Sequence, residues 1–229
     1  ISGSVLTMFK SYLSDRTQRI SIGNILSQVS QLVYGVPQGS VLGPLLFNIM
    51  VNDMLTQHKC AISYADDTTL VIPSSNIQSA LTNTEQHFNK IHNWFTHNGF
   101  LLNIHKSRCM IISNRTVPSN LTVLLSGSRL KVGDSLALVG VTLDPKLSFV
   151  KQSRKSKSVV SSLLYSLKKI RHFLTTSEAL KIYESIIRPK LEYCSALTLG
   201  TSLENVQLLE ACQSRAIRII CRAPFSHTN

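Results

Sequence analysis

Two adjacent carboxylates, Asp66 and Asp67, stand between two short apolar runs, Cys60-Ala61-Ile62 and Leu70-Val71-Ile72. Ala65-Asp66-Asp67 is turn chemistry between β-prone flanks, so the stretch reads as strand, tight turn, strand. A hairpin tip carries both acids out of the sheet and holds them side by side. Adjacent like charges cost free energy unless something positive neutralises them, and a divalent metal is the natural candidate. Oxygen-only ligation selects Mg²⁺, commonly held by one or two carboxylates with substrate phosphates completing its shell. Read alone, the pair also fits an ordinary solvated turn.

The segment upstream narrows the choice. Gly35-Val36-Pro37-Gln38-Gly39-Ser40-Val41-Leu42-Gly43-Pro44-Leu45-Leu46-Phe47 precedes the acids by some twenty residues. Gly39 and Gly43 let backbone approach a bulky ligand closely, and Pro37 stiffens the bend. Together with Tyr64-Ala65-Asp66-Asp67-Thr68, this segment resembles the polymerase palm of non-LTR (LINE-type) retrotransposon reverse transcriptases. RNA-directed RNA polymerases share the paired acids, but usually carry Gly where this chain has Ala65.

The resemblance implies an α+β fold: a palm of antiparallel sheet with packed helices, followed by an α-helical thumb. It implies two-metal nucleotidyl transfer with two Mg²⁺ ions, which Mn²⁺ can replace, and Asp66 and Asp67 as the metal ligands and catalytic acids. Pro37, Gln38, Gly39 and Tyr64 would then contact the template or the incoming nucleotide. Lys106, after Trp94-Phe95-Thr96-His97-Asn98-Gly99-Phe100-Leu101-Leu102-Asn103, would be the catalytic lysine near the triphosphate, where a cation neutralises or protonates the leaving pyrophosphate; by place alone it is equally a solvated lysine. Leu138-Val139-Gly140-Val141-Thr142-Leu143-Asp144 is similar to the family's primer grip, with Val139 and Gly140 at its centre. The implied partners are an RNA template, a DNA primer, their RNA–DNA hybrid and a dNTP.

Charge supports a polyanionic partner independently. The chain has 24 Lys+Arg against 12 Asp+Glu, a net charge of +12. Nucleic acid is favoured over a membrane, since no apolar run is long enough to span one. The surplus concentrates after Lys146: residues 146–190 hold eleven Lys and Arg against Glu178 and Glu184, a local surplus of nine. A basic helical stretch behind a palm suits a duplex, although a solvated charged face has the same composition. The domain reading is a partial palm over 1–145 and a basic helical thumb or connection region over 146–229. Five scattered cysteines without a C-x-x-C pair suggest a reducing, intracellular setting, nucleus or cytoplasm, as does the lack of a signal peptide.

Periodicity places helices over residues 4–13, from Pro44 to Leu55, from Asn76 to Asn98 with Asn98-Gly99 as its stop, and from Ser202 to Ile220. Short strands are expected around Gly23-Asn24, over Gln31–Tyr34, over Cys109–Ser113 and around Ser126-Gly127. Within 146–190, Val159, Leu163 and Leu167, then Leu180, Tyr183 and Ile187, form the expected inward faces, with Leu208, Leu209, Ala216 and Ile219 in the last helix. Phe88, Trp94 and Phe95 read as core before a base-stacking platform.

The family's first catalytic acid, upstream of Pro-Gln-Gly, has no counterpart here: before Asp53 the one acid is Asp15, in a polar turn. The fingers are missing too, and the opening Ile1 suggests a fragment. Two readings follow. One is a reverse transcriptase fragment, inactive as this isolated chain; the other is a non-catalytic nucleic-acid-binding remnant of a decayed element.

Overall fold

The computed structural model describes residues 2–198 and 201–223. It mixes helices with small sheets and falls into two compact units. One holds the residues up to Ser107 with Val123–Arg129; the other holds Arg108–Thr122 with Leu130 onward.

The first unit opens with Gly3–Leu13 (α1), followed by Thr17–Gln18 (β1), Ser21–Ile22 (β2), Ile25–Leu26 (β3) and Ser30–Gln31 (β4). β2 pairs with β3 and β1 with β4, both antiparallel, making a narrow ribbon about Gly23-Asn24. The strand expected to run on to Tyr34 stops at Gln31. Beyond it, the carbonyls of Tyr34 and Gly35 accept from the Arg16 guanidinium, whose Nε also donates to Leu13 O.

Gly43–Gln57 (α2) follows, with Pro44 in its first turn, where a missing N–H costs nothing. Ala61–Tyr64 (β5) and Asp67–Leu70 (β6) pair antiparallel, Tyr64 opposite Asp67. Ile77–His97 (α3) is capped by the Asn76 side chain, which accepts from Ser79 N. It ends at Asn98, and Gly99 takes the left-handed φ of 77° that a helix stop requires. The core joins Val51 and Met54 of α2, Ala61 of β5, and Ile91 and Phe95 of α3. Phe100 meets Phe47, Phe95 and Trp94 at centroid distances of 6.0, 5.6 and 6.4 Å, so Phe95 is core and the other three pack against it, whereas Phe88 is half-buried and stacks on His92.

The remaining strands are Cys109–Met110 (β7), Thr122–Leu125 (β8), Ser128–Gly133 (β9), Leu136–Leu138 (β10) and Val141–Leu143 (β11). β7 is shorter than expected and runs parallel to β9; beyond it Ser113 N donates singly to Pro145 O. The Leu136–Leu143 run folds back on itself, β10 against β11.

Helices complete the second unit: Val150–Ile170 (α4), a 3-10 turn at Arg171–Phe173, Thr176–Ile182 (α5), Arg188–Glu192 (α6), Ser195–Thr198 (α7) and Leu203–Cys221 (α8). Between α5 and α6 a π-helical turn spans Tyr183–Ile187. Pro189 explains it: its ring would clash with the Ser185 carbonyl in α-helical register and it offers no N–H. Val160, Leu164 and Leu167 of α4 pack with Ala179, Ile187, Leu191, Cys212, Ala216 and Ile220. Leu167, Ile187 and Ala216 are buried as expected and Leu163, Tyr183, Leu209 and Ile219 pack against this core, whereas Val159 is exposed and its neighbour Val160 buried. Val159-Val160, Leu163-Leu164 and Ile219-Ile220 are apolar doublets, and periodicity alone leaves open which member of each faces in. Leu180 is exposed and Ala179 buried for the same reason.

Three polar groups are buried in this unit at one fork. Asp144, 8% exposed, accepts from Lys146 N and Ser148 N at Oδ1, and from Ser148 Oγ and Phe149 N at Oδ2. Gln152 Oε1 accepts from Thr142 N, and Asn205 Nδ2 donates to Ser148 O, which ties α8 to the loop before α4. At the other end of α4, buried Arg171 donates to the carbonyls of Leu174, Ile219 and Ile220. It thereby satisfies the open C-terminal carbonyls of α8 and meets the negative end of that helix.

Candidate active site

The Pro37–Gly43 loop is built by its own side chains. Ser40 Oγ donates to Pro37 O at 2.7 Å and accepts from Gly43 N at 3.0 Å, so it caps an open N–H at the start of α2. Gly39 sits at φ 77°, a left-handed conformation suited to glycine. Gly43 is needed for space instead: a Cβ there would stand 3.0 Å from Ser40 Oγ and 3.1 Å from Pro37 O.

Facing this loop, the β5–β6 tip is a two-residue turn, Ala65-Asp66, with Ala65 at φ 53°. The small Ala methyl limits the strain of that left-handed residue, which costs about 1–2 kcal/mol in non-glycine residues. Ser63 Oγ donates to Ala65 O at 3.1 Å and steadies the tip.

A cleft of about 760 Å³ opens between the loop and α2 on one side and the tip on the other. Pro37, Gln38, Gly39, Tyr64 and Asp66 all line it. Asp67 opens β6 opposite Tyr64 and is not among the lining residues. Lys106 lies in an exposed turn, its N–H donating to Asn103, and also does not line the cleft. Asn48 and Asn52, four apart on α2, do line it. Sequence reasoning missed them, although two amides at helical spacing within an apolar helix are a readable signal.

Asp66 and Asp67 offer the oxygen donors that Mg²⁺ requires, with Asp66 placed to reach into the cleft. Among the described residues no three His, Cys, Asp or Glu side chains converge as a ready-made metal site. An ion held here would draw its remaining ligands from bound phosphates and water.

In the second unit, Val139 and Gly140 form the turn between β10 and β11, at φ 44° and 81°. Two successive positive φ values mark the tight hairpin turn whose twist matches its strands. Tyr193 Oη donates to Val139 O at 2.6 Å. Nearby, burial alone would raise the Asp144 pKa, but the hydrogen bonds from Ser148, Lys146 and Phe149 outweigh it and hold the carboxyl below its ordinary range. On the surface, Lys151 holds Asp134 low through a 2.8 Å ion pair.

A tight acid-tipped hairpin facing a Pro-Gln-Gly loop across one cleft is an arrangement suited to binding a metal-bound nucleotide. The family described as reverse transcriptase (RNA-dependent DNA polymerase) matches residues 3–143. The chain belongs to that family. It is 28% identical over 231 aligned residues to the RNA-directed DNA polymerase from mobile element jockey of Drosophila melanogaster, covering 94% of this chain and 25% of that protein. The probable RNA-directed DNA polymerases from transposons X-element and BS of Drosophila melanogaster are 26% and 25% identical. Those alignments cover 93% and 95% of this chain, and 24% and 26% of the relatives. The chain therefore spans about a quarter of the length of these curated relatives. Among the described residues no helix is long and apolar enough to cross a membrane.

Proposed function

We propose that this chain supplies the palm and thumb of an RNA-directed DNA polymerase of a non-LTR retrotransposon, with the α2–hairpin cleft as its nucleotide and template site. The observation that carries the reading is the meeting of Gln38, Gly39 and Asp66 on one cleft. In it, Asp66 reaches the metal–nucleotide complex from the hairpin tip, and Asp67 completes the acidic tip. When bound, Mg²⁺ ions would activate the primer hydroxyl and steady the leaving phosphate.

The chain's own side chains bind and orient. Gly39 presents bare backbone, and Gln38, Asn48 and Asn52 supply amides that can donate to or accept from a base or sugar. Lys106 serves as the cation for the pyrophosphate. Lys151, Arg154, Lys155 and Lys157 at the start of α4 neutralise phosphates along an RNA–DNA hybrid. The boundary proposed between palm and thumb, 145/146, lies inside the second compact unit, which also holds the Val139-Gly140 hairpin. With Asp15 the one acid before Asp53, this chain by itself binds primer–template without extending it.

The test is Mn²⁺ titration of the chain with a dNTP and a primed RNA template, followed by paramagnetic broadening of backbone amides. Broadening should centre on Gln38, Gly39, Asn48, Asn52 and the β5–β6 tip, and should vanish in Asp66→Ala. Broadening elsewhere, or unchanged in Asp66→Ala, refutes the site.

A further inference from the structure

The β10–β11 turn is held in a conformation its sequence resists. Val139 is β-branched, and such a residue at φ 44° is a genuine outlier, whereas Gly140 at 81° is at ease. Strained residues persist where surrounding structure over-determines them. Here that structure is Tyr193, which follows α6 directly. Its hydroxyl donates to the Val139 carbonyl at 2.6 Å, 54 residues away in sequence. Its ring lies so close to Gly140 that an added Cβ would stand 3.4 Å from Oη, 3.5 Å from Cε1 and 3.7 Å from Cζ. Tyr193 is in turn fixed by its N–H, which donates to Pro189 O at 3.1 Å, and by Leu191, buried in the helical core two residues before it.

We propose that Tyr193 is a positioning residue that latches the Val139-Gly140 turn and so presets it to receive a primer 3′ end, an inference that rests on the primer-grip reading of that turn. The latch couples the turn to the helices: α6 delivers the tyrosine, and α6 is seated against α4. A shift of α6 when the basic face of α4 takes up a duplex therefore reaches the grip through one hydrogen bond. Because the ring contacts Gly140 while the hydroxyl holds Val139, Tyr193→Phe removes the bond and keeps the packing.

The experiment compares the 229-residue chain with Tyr193→Phe in two readouts. The first is amide hydrogen exchange across Val139–Val141. The second is affinity, by fluorescence anisotropy, for an RNA–DNA hybrid with a recessed DNA 3′ end and for the same hybrid closed by hairpin caps. Loss of one such bond predicts faster exchange at the turn and about 5- to 10-fold weaker binding of the recessed hybrid. Capped-hybrid affinity should stay unchanged, and the thermal midpoint should fall by no more than the few degrees that one hydrogen bond is worth. In a Val139→Gly background, where the turn is unstrained, the effect of Tyr193→Phe on the recessed hybrid should shrink. Unchanged exchange overturns the latch. A lowered midpoint with equal weakening of both hybrids assigns Tyr193 a structural role and overturns it too. If the parent chain binds both hybrids equally while exchange still rises, the latch exists but the primer-grip reading fails, and the proposed role with it.

Discussion

Replacing Asp144 by Asn tests whether its carboxylate organises the loop that launches α4. The carboxylate accepts four hydrogen bonds, two per oxygen, and spans Leu147 and Phe149, both left-handed at φ 50° and 55°. Each such residue costs about 1–2 kcal/mol, which the carboxylate offsets. Asn keeps one acceptor oxygen and turns an NH₂ toward the remaining donors. Ser148 Oγ can rotate to accept, but Phe149 N–H faces another donor. Charge-assisted bonds contribute about 1.5–3 kcal/mol each, and water can reach the exposed Lys146 and Ser148 amides, so the net loss should be about 2–4 kcal/mol. The pH dependence has a definite sign. The folded pKa lies below the ordinary value of 3.8, so the contribution is complete above that value and is lost as pH falls through the depressed one. Urea unfolding followed by far-UV circular dichroism reads the helices; the single tryptophan, Trp94, reports on the other unit. The gap between parent and Asp144→Asn should be largest near neutrality and narrow in acid. A gap under about 0.5 kcal/mol at neutral pH, within the range of ordinary surface substitutions, would rule out this role for Asp144. So would a gap independent of pH.

Arg171→Leu should cost about 2–4 kcal/mol, because it strips the Leu174, Ile219 and Ile220 carbonyls of a charged donor, and the loss is read as a lower helical unfolding midpoint. Ser40→Ala removes the cap on Gly43 N and should cost about 1 kcal/mol, measured by Trp94 fluorescence during urea unfolding. Gly99→Ala sets a methyl 2.7 Å from the Tyr34 ring at φ 77°; it should destabilise the Trp94 unit by more than the roughly 1–2 kcal/mol that φ alone costs. Lys155→Gln should weaken binding to an RNA–DNA hybrid equally across sequences and lower the slope of log affinity against log salt by roughly 0.7–0.9, the share of one phosphate contact.

Local chemistry made much of the first unit legible. Asn76 and Asn98-Gly99 bracket α3 because a side-chain cap and a left-handed glycine are written in the sequence. Pro44 likewise announces the start of α2. The hairpin at Asp66 followed from turn residues between apolar runs. Less was readable where tertiary partners decide. The strand toward Tyr34 is cut short at the point where Arg16 takes up carbonyls, a contact across some eighteen residues that no window of sequence displays. The doublets Val159-Val160 and Leu163-Leu164 left the buried face of α4 undetermined until α8 chose it. Asp144 was readable in principle, since Asp before Pro145 and ahead of a helix favours a side-chain-bonded turn. Tyr193 was not, because its partner at Val139 is a backbone carbonyl.

On the proposed function, Asp66 and the Gln38-Gly39 loop form one polymerase cleft. Primer extension on an RNA template with Mg²⁺ tests it most directly, using this chain beside a form extended upstream to supply the family's first carboxylate motif. Extension is expected from the longer form alone, abolished by Asp66→Ala and sharply reduced by bulky replacement of Gly39. Extension that survives Asp66→Ala, or full activity in the shorter chain, would contradict the proposed function.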